Sequence, residues 1–84
     1  MTAADRHYRV LPAATGGAGI WAAPTPSARL LGVLQPGDDW EGLPEAGQRL
    51  YVQGFGGGDQ WIASLDRRFV WANVLELVRE KEPR

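Results

Sequence analysis

Glycine and proline punctuate this chain at short intervals, and that spacing holds most elements to a few residues. Eleven glycines and six prolines are spread over 84 positions. Proline lacks the N–H that a ladder or a helix interior needs, while glycine accepts backbone angles that end regular structure. Between the breaks lie short runs with the period of two that marks strands. In His7–Leu11, Tyr8 and Val10 share one face, and Pro12 stops the run. Ala13–Gly19 carries three glycines and reads as a loop or bulge. Gly19–Ala22 is a short strand closed off by Pro24 and Pro26.

Arg29–Leu34 is a continuous apolar run around Gly32, ended by Gln35-Pro36-Gly37. Proline followed by glycine predicts a type II turn, because glycine takes the positive φ at the third position. Asp38–Leu43 then reads as the returning strand of a hairpin, and Pro44–Gly47 as another turn. Arg49–Phe55 alternates, Gly56–Asp59 reads as a tight reversal, and Trp61–Leu65 alternates again. Asp66-Arg67-Arg68 turns the chain into Phe69-Val70-Trp71. The end supports two readings. Trp71, Val74, Leu75 and Val78 lie at helical spacing, and Asn73 can equally open a 3₁₀ turn before a last strand, Glu76–Val78. Five or six short strands with turn signals every ~8–12 residues is the pattern of a small sandwich or barrel.

A chain this short buries only about 60–65% of the surface its unfolded form exposes. It has no cysteine, so neither a disulfide nor a thiolate zinc site can add to the core. Four tryptophans, two tyrosines and two phenylalanines supply the bulk instead. The formal charge is −1, and Arg67-Arg68 is the only basic pair. A nucleic-acid partner calls for a basic stripe, which is not present in the sequence. No run approaches the ~20 apolar residues of a membrane span. Met1–Arg9 is polar, with none of the apolar stretch of a secretory signal, so a cytoplasmic protein, or a particle assembled there, is expected.

The chemistry-bearing residues do not combine into a catalytic set. His7 is the only histidine, and Ser27 and Ser64 are the only serines. Asp38, Asp39 and Glu41 form the densest acidic cluster, but their spacing is not that of a calcium loop and reads as solvated turn residues. The glycine clusters Gly16–Gly19 and Gly54–Gly58 end in Ala22 and Asp59 where a dinucleotide fingerprint places its last glycine. No enzyme activity, metal or cofactor is expected. The aromatics remain: Trp21, Trp40 and Tyr51 flank loops, and with Arg29, Arg49, Arg67 and Arg68 as rim contacts they are the candidate partner-binding residues.

Two stretches resemble the bacterial SH3 (SH3b) family. Gly19–Gly37 follows its order of a short apolar strand, a small-and-proline loop, an apolar–Gly–apolar strand and a turn ending in glycine. Arg68–Leu75 is similar to its closing aromatic–Val–x–small–x–x–Leu segment. Trp21 departs from the family's usual polar residue and Phe69 from its usual tryptophan. Leu43–Asp59 is longer than the family's middle, and either Tyr51 or Trp61 fills its central aromatic strand. The resemblance implies an all-β fold: a small SH3-like, partly open β-barrel of five to seven short strands, with a 3₁₀ or helical turn near the C-terminus. The expected organisation is a mobile arm over residues 1–6, the barrel over 7–78 and a polar tail over 79–84. The expected function is that of a non-catalytic protein–protein module, either an adaptor or a structural subunit of a larger, virion- or particle-like assembly. Its partner is then a protein or peptide, including a second copy of the chain. The alternative implied by the family is a cell-wall or peptide-binding targeting module.

Overall fold

The computed structural model describes residues 6–80, and the punctuation divides them into seven antiparallel strands and one 3₁₀ turn. The strands are β1 (Arg6–Val10), β2 (Ala18–Trp21), β3 (Leu30–Leu34), β4 (Asp39–Val52), β5 (Gly56–Ala63), β6 (Phe69–Trp71) and β7 (Leu75–Glu80). They form one sheet in the order β3-β2-β6-β5-β4-β1-β7. The sheet curls. Tyr8 and Val10 of β1, Ala18 of β2, Ile62 of β5, Val70 of β6 and Leu75 of β7 pack in a single buried cluster, although β2 and β7 stand far apart in strand order. The result is the expected partly open β-barrel, left unclosed between β3 and β7. The arm expected over residues 1–6 lies outside the described residues except for Arg6, which opens β1. Of the expected tail, Arg79 and Glu80 belong to β7 and the rest also lies outside.

At the C-terminal end the second reading holds. Ala72–Val74 form the 3₁₀ turn, and β7 returns to pair with β1, Val10 opposite Leu75 and Tyr8 opposite Leu77. The backbone N–H of Leu11 donates to the Val74 carbonyl at 2.9 Å and ties the turn to the first strand.

Three local expectations are corrected. The Pro36-Gly37 turn forms, with Gly37 at φ +89° and Asp38 N–H donating to the Gln35 carbonyl. It does not close a hairpin: β3 pairs with β2, while Asp39–Gly42 pairs with β1. Turns of this hand splay their flanking strands, so β3 and β4 diverge. Pro44–Gly47 is no turn but the middle of the fourteen-residue β4. Pro44 stands beyond Gly42, the last β4 residue that pairs with β1 among the described residues, where a missing ladder donor is tolerated. A bulge follows, in which Gly47, Gln48 and Arg49 stand opposite Asp59 alone. Finally, Gly56–Asp59 is strand rather than reversal: Val52, Tyr51 and Leu50 pair with Gly56, Gly57 and Gly58, and the turn falls on residues 53–55.

β6 and the end of β5 at Trp61 and Ile62 are buried on both faces. Ile62 and Val70 face the first cluster, and Trp61, Phe69 and Trp71 form a second. That second cluster is covered by the β4 bulge and the loop after β2, joined by Gln48 N–H donating to the Pro24 carbonyl at 2.9 Å. Each large indole there has its polar end satisfied. Trp61 donates to the Gln48 carbonyl and Trp71 to the Gly58 carbonyl, both at 3.0 Å.

Candidate interaction surface

The seven residues expected to meet a partner fall into separate groups. Trp40, half-buried, packs against the first cluster and donates its indole N–H to the Ile62 carbonyl at 3.0 Å. Trp21, also half-buried, packs on the second cluster, paired across strands with Phe69. Both are thus largely committed to the fold. Tyr51 is 69% exposed. It shares the surface over Gly57 with Arg49, whose guanidinium occupies the space a side chain at Gly57 would fill.

Arg67 and Arg68 stand on the loop between β5 and β6. Arg67, at φ 61°, makes a two-pronged hydrogen bond to the Glu45 carboxylate at 2.8 and 2.9 Å. Its guanidinium also lies 4.8 Å above the Phe69 ring and so roofs the second cluster. The hydrogen bonds and charge of Arg67 hold the Glu45 carboxyl below its ordinary value and raise Arg67 in return. Arg68 pairs with Asp66 at 3.1 Å. The Asp66 carboxyl is lowered first by the Ser64 hydroxyl and then by the Arg68 charge. Arg29, just before β3, is exposed and makes no ion pair among the described residues.

Beside Arg67 the surface is concave. Leu43, Pro44, Glu45, Ala63, Ser64, Leu65 and Arg67 line a groove of about 410 Å³. Leu65, 90% exposed, stands on its wall. The sequence reading missed this groove, since it placed Leu65 in a strand and Pro44 in a turn.

The exposure of β3 was not legible in the sequence either. Leu30, Leu31 and Val33 are each between 44% and 49% exposed, on a strand with no neighbour on its outer side among the described residues. A continuous apolar run normally signals a strand buried on both faces. The available clue was its isolation between the Pro24–Pro26 loop and Pro36.

The acidic cluster serves the fold. Asp38 caps the Gln35 N–H at 2.8 Å, and Asp39 lies 2.9 Å from His7 Nε2 and 3.5 Å from Arg9. The His7 hydrogen bond is the main reason that the Asp39 carboxyl is lowered. Among the described residues, no helix is long and apolar enough to cross a membrane.

Fold and surface together define a small, partly open β-barrel with an apolar edge strand and an apolar–charged groove among the described residues. Compared with known proteins, the chain matches no family model, no curated protein and no solved structure.

Proposed function

We propose that this chain is a non-catalytic protein-interaction module, an adaptor or a subunit of an assembly. One observation carries the reading: large apolar side chains are exposed together on an edge strand, where Leu30, Leu31 and Val33 stand on β3. Contiguous exposed apolar surface is characteristic of interaction sites, and an unpaired strand edge adds a row of backbone donors and acceptors. The groove beside Leu65 and the exposed Tyr51 and Arg49 extend the surface a protein or peptide can use. The strand–loop–strand Gly19–Gly37 and the closing Arg68–Leu75 segment, similar to bacterial SH3 domains, fit a binding role. Cross-linking in the native host, with and without Leu31→Lys, tests it. The expected result is a discrete cross-linked protein species that weakens in the variant; a chain that cross-links to nothing overturns the reading.

A further inference from the structure

We draw no further inference here: the strongest candidate, the groove between β4 and the β5–β6 loop where exposed Leu65 stands beside Pro44, carries nothing, because Arg67 and Glu45 at its side already pair with each other and nothing in the structure shows what covers it.

Discussion

Gly42 shows how tightly this barrel holds a single backbone position. It is buried in β4, and a Cβ there would lie 2.3 Å from the Ala63 carbonyl oxygen, an atom of the neighbouring backbone. Gly42→Ala should therefore cost ~1–3 kcal/mol in urea unfolding, as overpacking does. Gly16→Ala, with nothing within 4 Å, should stay within about 0.5 kcal/mol of wild type. Glu45 offers a test with a defined sign. Its folded carboxyl titrates below the ordinary 4.5 because Arg67 hydrogen-bonds the charged form. The stability this adds is fully present above the ordinary value and disappears as pH falls through the folded one. Glu45→Gln should lower the urea midpoint slightly at neutral pH, and the difference should vanish in acid. A difference that persists unchanged below the folded value would count against the pairing. The glycines at 57 and 58 explain one misreading. Glycine signals a turn and a close approach with the same letter, and here Arg49 and Asn73 fill the space their side chains would need.

The elements divide by how much surrounds them. β6 and the end of β5 are covered on both faces, whereas β3 has one neighbour among the described residues and three exposed apolar side chains. Amide hydrogen exchange should therefore be slowest at Trp61–Ala63 and Phe69–Trp71 and fast along β3, since protection follows local burial. Equal protection across all strands would contradict the assignment of β3 as an edge. The faces of β1 and the turn at Pro36-Gly37 were legible because period two and φ-demanding residues act locally. The partner of each strand was not. Asp39–Gly42 chose β1 over β3 because turn hand and the His7 and Arg9 pairs with Asp39 decided between distant strands, and no short window of sequence contains that comparison. The candidate surface was read less well than the fold. Arg67 was singled out in the sequence as a rim contact, but the groove it lines depends on Pro44 and Leu65 meeting from different elements.

For the whole molecule, two aromatic and aliphatic clusters joined through Phe55 and Val74 act as one core. Trp61 is fully buried, and Trp61→Ala should cost about 3–5 kcal/mol, enough to unfold much of a domain this size. Near-UV circular dichroism would report it, and a variant with native packing would refute the shared core. The first and last strands complete each other, with Arg6 opposite Glu80 and Val10 opposite Leu75. That pairing brings the two described ends of the chain side by side. The barrel can thus be spliced into a surface loop of a host protein without prising the loop apart. By the same geometry, a short linker from β7 to β1 should yield a circular permutant, opened at Leu65, that still folds.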